Sequence, residues 1–249
     1  MAKVYRKRRL SMLQEGDFKG YTIYAFGEVI LVMIGILLAL QVNNWNQSVR
    51  DRAVESKMLH SIQDNLEEDA ITLDLAIARI QKTIDAIERI QHDATAIPED
   101  SLAAYATRSG YTRAFVPVAT AFELSKSSGK LDLIQNDSLA LAIQRLYDQD
   151  YRSISESVPE WKAINAIVHP YMVQYQVFGT ADFTAEGYLS DFTFPLEPDK
   201  VLALFLDENY RGGQRPFLAL TRIMLLLHKD ARGKNVQLRA SIETYLQGF

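Results

Sequence analysis

One carboxylate stands where a carboxylate is costly. Glu28 lies in the run Tyr21 to Val42, YTIYAFGEVILVMIGILLALQV, in which it is the one charge and Gln41 the one amide. If hydrocarbon began only at Val29, the apolar stretch to Leu40 would rise about 18 Å as a helix, well short of a bilayer core of about 30 Å. Glu28 is therefore expected inside or at the edge of the layer. An ionised side chain at the bilayer centre costs roughly 2.5–3.5 kcal/mol, and less near the boundary, so such a group finds a partner, a proton or water. Gly35 returns to within about 20° of Glu28 around a helix, with Ala39 about 40° further on. Small residues spaced this way permit close helix approach, so Glu28, Gly35 and Ala39 form a candidate contact face for another membrane helix. Three roles for Glu28 stay open: pairing with basic groups or headgroups, bonding to a partner helix, or carrying protons or ions. The last would resemble the stator subunits of ion-driven motors, although nothing here resembles their peptidoglycan-binding module.

Other chemistry is thinly represented. Ser127-Ser128-Gly129-Lys130 fits the S-x-x-K nucleophile pattern, but neither S-D-N nor K-T-G accompanies it, and Gly129 reads as a helix end. His60, His92, His169 and His228 are scattered, and none stands in an H-E-x-x-H or H-x-x-E-H arrangement. Asp64, Glu67, Glu68 and Asp69 read as the solvated face of a helix, since a straight helix does not wrap oxygen ligands around a cation. The absence of cysteine excludes disulfides, thiolate metal sites, iron–sulfur clusters and a cysteine nucleophile. No catalytic, metal or cofactor site is expected.

The chain has 249 residues, 48% hydrophobic and 23% charged, which suits one that buries a core. Its net charge of -4 is uneven: residues 1–20 carry six basic and two acidic side chains. The basic patch Arg6, Lys7, Arg8 and Arg9 reads as a topology signal that also suits anionic headgroups. Nucleic acid is not an expected partner for so short a patch held at a membrane.

The elements that must position these groups begin with a spanning helix, placed at residues 21–44. Tyr21 and Tyr24 near one boundary and Trp45 at the other are expected interface anchors. A long basic region and the absence of a small-x-small cleavage site after Leu37 to Gln41 favour an uncleaved signal anchor over a signal peptide. Basic residues before the span outnumber those after it, which puts residues 1–20 in the cytoplasm and residues 45–249 outside, in a bacterium the periplasm. Phe217 to Leu227 is too short for a second crossing and reads as a core helix.

After the span, no Pro or Gly occurs between Gly35 and Pro98. Leu59, Ile62, Leu66, Leu73, Ile77, Ile80, Ile84 and Ile87 recur at steps of mostly three and four, which predicts a long amphipathic helix. It either continues from the span or breaks near Asn43 to Asn46. Asp100 or Ser101 is expected to cap the next helix. Further helices are expected over Ala119 to Ser128, from an Asn136 or Asp137 cap through Tyr151 to a break at Pro159, and over Trp161 to Tyr175 with a kink or stop at Pro170. Pro198-Asp199 opens another. Pro216 reads as the first turn of one more, and Gly233 as its separation from a closing helix, Asn235 to Leu246. The aromatic loop Phe178, Phe183, Tyr188, Phe192 and Phe194 reads as a lid on the core or, if exposed, as a recognition surface.

Two segments carry a resemblance. Tyr24-Ala25-Phe26-Gly27-Glu28, continuing to Val42-Asn43-Asn44-Trp45-Asn46, resembles the N-terminal signature of bacterial domain-of-unknown-function family number 6090. Phe122-Glu123-Leu124, Ser127-Ser128-Gly129-Lys130-Leu131 and Ile134-Gln135-Asn136 resemble that family's L-x-x-S-G-x-L-x-x-I-x-N motif. The resemblance implies membership over nearly the whole chain, a membrane-anchored helical protein, and no established activity. The expected fold is mainly α: one N-terminal transmembrane helix followed by a helical periplasmic domain. The expected role is that of a non-enzymatic scaffold or accessory subunit in the bilayer of the bacterial inner membrane, contacting other membrane proteins or further copies of itself. The alternative is a membrane-linked sensor or ion-coupled component using Glu28.

Overall fold

The computed structural model describes residues 18–110, 115–177 and 196–248. Two compact units divide the chain, residues 1–54 and 55–249. All regular elements among the described residues are helical. The first, α1, runs over Phe18–Asp93. Asn43 to Asn46 are helical within it, so the polar cluster after the span does not break the backbone. The sequence offers no proline or glycine to break it there, and solvent can satisfy the asparagine amides without competition for the helix's own bonds.

Within residues 55–249, α1 buries one stripe. Leu59, Ile62, Leu66, Leu73, Ile80, Ile84 and Ile87 are all inaccessible or nearly so, and Ile77 is half-buried at the edge of the same stripe. A tight corner follows. Asp93 accepts from the Thr95 amide at 3.1 Å and the Thr95 hydroxyl at 2.6 Å, which closes the turn Ala94–Ala96. Neither Asp100 nor Ser101 caps the next helix. They belong to a 3-10 turn, Glu99–Ser101, that runs directly into α2, Leu102–Gly110. A 3-10 turn winds into an α-helix with its amides already bonded, so no side-chain cap is required.

α3, Thr120–Ser127, ends as its sequence suggests, at Gly129 with φ of 70°. Asn136 then caps α4, Asp137–Arg145, by accepting from the Leu139 amide at 3.1 Å. A π-helical turn, Leu146–Tyr151, carries the chain into α5, Arg152–Asn165. Pro159 lies inside α5 and does not end it. It is exposed, so water can satisfy the carbonyl four residues earlier, while Ile154 and Trp161, both buried, anchor the helix on either side. A 3-10 turn, Ala166–Val168, separates α5 from α6, His169–Gln174, with Pro170 in its first turn. α7 spans Pro198–Leu206.

The largest departure from expectation is α8, a single helix over Glu208–Leu246. Pro216 is interior to it and Gly233 separates nothing. Its buried positions explain why. Tyr210, Gln214, Phe217, Thr221, Met224, His228, Ala231, Asn235, Leu238 and Ile242 form one unbroken stripe at steps of three and four. Pro216 and Gly233 sit on the exposed side, where neither interrupts that stripe. Burial along 39 residues outweighs a proline cost of about 3 kcal/mol. The Phe217 to Leu227 stretch lines the core through Phe217, Thr221, Met224 and Leu225.

Ion pairs set the register of α8 against α1. Glu67 meets Arg239, Asp74 meets Arg232 through two bonds of 2.9 Å, and Glu88 meets Arg222 at 2.7 Å. Gln91 and Arg211 exchange bonds with each other's carbonyls. Rising numbers on one helix pair with falling numbers on the other, so the two are antiparallel. The charges are at least partly exposed and individually worth about 1 kcal/mol or less, so they select alignment more than they supply stability.

Exchanging Gly233 for alanine should stabilise the protein by about 0.5–1 kcal/mol, because a Cβ there meets nothing within 4 Å and the helix interior favours alanine. Gly129→Ala should cost about 1 kcal/mol, because φ of 70° is strained for a residue with a Cβ. Thermal melts followed by circular dichroism would read both, and a rise for Gly129→Ala would contradict the left-handed turn.

Candidate functional site

Two places gather groups capable of interaction, one in each unit. In residues 1–54, Glu28, Gly35 and Ala39 are all exposed, and a Cβ built on Gly35 meets nothing within 4 Å. Among the described residues, one helix is long and apolar enough to cross a membrane, with a mean hydropathy of 2.5 over its best window and none of that window buried. Leu31 is 73% exposed and Leu38 61%. Such a surface requires lipid or protein around it. Trp45 is exposed, Tyr24 is half-buried, and Tyr21 lies in α1 with its side chain outside the described residues. Arg6, Lys7, Arg8 and Arg9 lie outside the described residues, as do Phe178, Phe183, Tyr188, Phe192 and Phe194.

In residues 55–249, the interior holds a polar centre. Asp69, expected on a solvated face with Asp64, Glu67 and Glu68, is fully buried. It stands three residues after Leu66 and four before Leu73, squarely on the apolar stripe, and that spacing is the signal that distinguishes it from its acidic neighbours. Its Oδ1 accepts from the Val118 amide at 2.7 Å, which ties α1 to the segment preceding α3. Burial pushes the carboxyl up to about 6, while the Val118 amide and the Tyr151 hydroxyl pull the other way.

Tyr147 and Tyr151 enter this centre from the π-helical turn, their rings perpendicular with centroids 5.3 Å apart. Tyr147 also stacks on Phe122 at 4.5 Å. Burial raises both phenols far above their ordinary range, so each keeps its proton. From α8, Asn235 Nδ2 donates to the Leu66 carbonyl and to the Tyr151 hydroxyl, both at 2.9 Å. His228 Nδ1 donates to the Met224 carbonyl at 2.7 Å, and the ring meets Phe115 edge-on. Burial lowers its pKa and keeps the imidazole neutral.

A second buried acid, Glu55, lies four residues before Leu59 on the same stripe and was equally legible from spacing. Its Oε1 accepts from the Tyr245 hydroxyl at 2.7 Å and the Gln135 amide at 3.0 Å. Nearer α7, the Asp207 carboxylate caps α8 through the Asn209 and Tyr210 amides and accepts from Tyr175, all of which hold it below the usual carboxylate range.

The remaining candidates do not converge. The Ser127 hydroxyl donates to the Leu124 carbonyl at 3.2 Å, spending its proton on the helix end. His60 bonds to the Ser56 carbonyl within its own helix. Among the described residues, no group of three or more His, Asp and Glu is placed to hold a metal ion. An open groove of 710 Å³ lies between α4 with its π-helical continuation and α8, and in its lining Lys234 bonds Asp150 and also reaches Asp230.

A family model matches residues 28–171, more than half of the chain. The chain belongs to DUF6090, a family of unknown function. The matched stretch of this DUF6090 member begins at Glu28, contains the Phe122 to Asn136 motif, and includes Asp69, Tyr147 and Tyr151. It ends before α8, so the implied membership over nearly the whole chain narrows to these residues. No curated protein and no solved structure matches the chain.

A carboxyl whose folded pKa lies near 6 against an ordinary 3.8 favours the fold in its neutral form. Its contribution is present below about pH 4 and is lost as pH rises through about 6, a swing of about 3 kcal/mol at most. Asp69→Asn, which retains an oxygen for the Val118 amide, should flatten the stability profile between pH 4 and 6 in denaturant titrations. An unchanged profile would mean that Asp69 does not titrate in this window.

Proposed function

We propose that this protein is a single-pass anchor of the bacterial inner membrane that serves as a non-enzymatic scaffold or accessory subunit, contacting other membrane proteins or further copies of itself. The observation that carries the reading is a helix whose apolar window is wholly unburied by its own chain, joined in sequence to a well-packed helical body. In this reading the bilayer covers most of the span. The face of Glu28, Gly35 and Ala39 meets a partner helix, small residues allowing close approach and Glu28 accepting from a polar group. In this reading the basic residues before the span keep the N-terminus in the cytoplasm, with residues 45–249 in the periplasm.

The internal pairing of polar groups supports a binding role over a catalytic one. Ser127, His60, Lys234 and Asp150 each bond within the fold rather than converging on one reacting position. A second reading, an ion-coupled or sensing component, is favoured by one observation alone: Glu28 is an exposed carboxylate within an otherwise apolar stretch.

Extraction in a mild detergent followed by size-exclusion chromatography and mass spectrometry tests the scaffold. A stable assembly that survives Glu28→Gln is expected. Recovery of a lone monomer would overturn the proposal. Loss of an ion-dependent activity on Glu28→Gln with the assembly intact would favour the ion-coupled reading.

A further inference from the structure

Past the apolar run, α1 keeps an apolar stripe that the described residues of its own chain leave uncovered. Leu31, Gly35, Leu38, Val42, Trp45 and Val49 follow one another at alternating steps of four and three. Inside the span every face is apolar, so the spacing there distinguishes nothing. From Asn43 to Ala53 it does, because Trp45, Val49 and Ala53 are the apolar members of a segment otherwise made of Asn, Gln, Ser, Arg and Asp. Trp45 is 68% exposed and Val49 53%. An indole suits the membrane interface. Val49 stands about 10 Å beyond Val42 along the helix, on the far side of a headgroup layer about 5–8 Å deep, where lipid no longer covers it. The polar neighbours spend bonds along their own helix, Gln47 on Asp51 at 2.8 Å and the Ser48 hydroxyl on the Trp45 carbonyl at 2.8 Å. The stripe ends at Val49, since Arg52, the next position in the repeat, is half-buried.

We propose that this stripe is the seam of a parallel coiled coil with a second copy of the chain, which starts in the bilayer and continues past its surface through Trp45 and Val49. With α1 as the single-pass anchor proposed above, on which this pairing rests, the partner is a second copy rather than another protein. Three observations select it. Alternating steps of four and three average 3.5 residues and drift about 20° per heptad on a straight helix, so the stripe stays on one face only where helices wind together. The partner must also cross the bilayer and emerge as a helix at the same height. α1 does so, being helical through Asn43 to Asn46, and copies oriented by the same basic residues all point the same way. Finally, the positions that flank the seam carry no charge. Gln41, Asn46, Ser48 and Ala53 occupy them, so identical helices bring no like charges together there, and Gln41 of one helix comes opposite Asn46 of the other, amide to amide. Glu28 heads the stripe three residues before Leu31, and Glu28→Gln removes a carboxyl that would face its counterpart.

A chain without cysteine makes the test direct. Single cysteines are placed in the full chain, and membranes carrying each variant are oxidised with copper phenanthroline. Val49→Cys should give a disulfide-linked species of twice the chain's mass, because parallel helices in register bring position 49 against itself. Gln47→Cys and Asp51→Cys, about 160° around the helix from Val49, should not. Equal yields at positions 47, 49 and 51 would mark random collision and overturn the proposal. Trp45→Glu in the Val49→Cys chain should abolish the disulfide, and an undiminished yield would overturn the stripe as its cause. If position 49 gives no self-disulfide while the chain stays in carbonate-washed membranes, the second copy is wrong and the anchor stands. If carbonate strips the chain from the membranes, both fall.

Discussion

Asn235 holds the Leu66 carbonyl of α1 and the Tyr151 hydroxyl of the π-helical turn with the two hydrogens of one amide. A buried amide left unpaired costs about 1–3 kcal/mol, so both bonds must form together or the helices must separate. Apolar stripes alone tolerate a slide of α8 along α1 by a turn, because leucine and isoleucine fill similar volumes wherever they meet. The amide does not tolerate it. With this one register set, Glu67, Asp74 and Glu88 come opposite Arg239, Arg232 and Arg222, and Tyr245 reaches Glu55. The exposed pairs reinforce the same alignment that the buried amide enforces.

The chain places carboxylates in apolar surroundings in both units and resolves them differently. Glu55 is met by a phenol and a backbone amide. Asp69 receives a backbone amide on one oxygen, and burial raises its pKa. Glu28 is exposed on its helix. In water an exposed glutamate needs no explanation, but within an apolar span it makes the surroundings of that helix part of the structural problem. Both buried acids of the body meet donors from their own chain, whereas the apolar window of the span is not covered by its own chain.

That difference also explains how much the sequence disclosed. The span announces itself through composition, because a helix apolar around its whole circumference needs cover on every side. Helix ends at Gly129, Asn136 and Pro198 were legible because each depends on chemistry within a few residues. Pro159, Pro216 and Gly233 misled for the same local reason. A breaker weakens a helix in isolation, but whether the helix ends depends on what its opposite face buries, and that information sits far away in the chain. Asp69 and Glu55 were hidden by their residue type, not by their spacing, which places both on the stripe of Leu59, Ile62, Leu66 and Leu73.

The π-helical turn lies within the polar centre. Leu139, Ile143, Tyr147, Tyr151 and Ile154, all buried, follow one another at steps of four and three, an ordinary helical rhythm. Within that run the turn Leu146–Tyr151 widens to i→i+5 bonding and admits an extra residue to the cycle. Bonds in such a turn are poorer than in an α-helix, so the distortion persists only where the side chains compensate. Here Tyr147 gains a stacked ring in Phe122, and Tyr151 gains a donor from Asn235. The backbone irregularity and the buried amide therefore support each other: without the turn that carries Tyr151, Asn235 loses the acceptor for one of its two hydrogens, and without Asn235 the buried Tyr151 hydroxyl loses its donor.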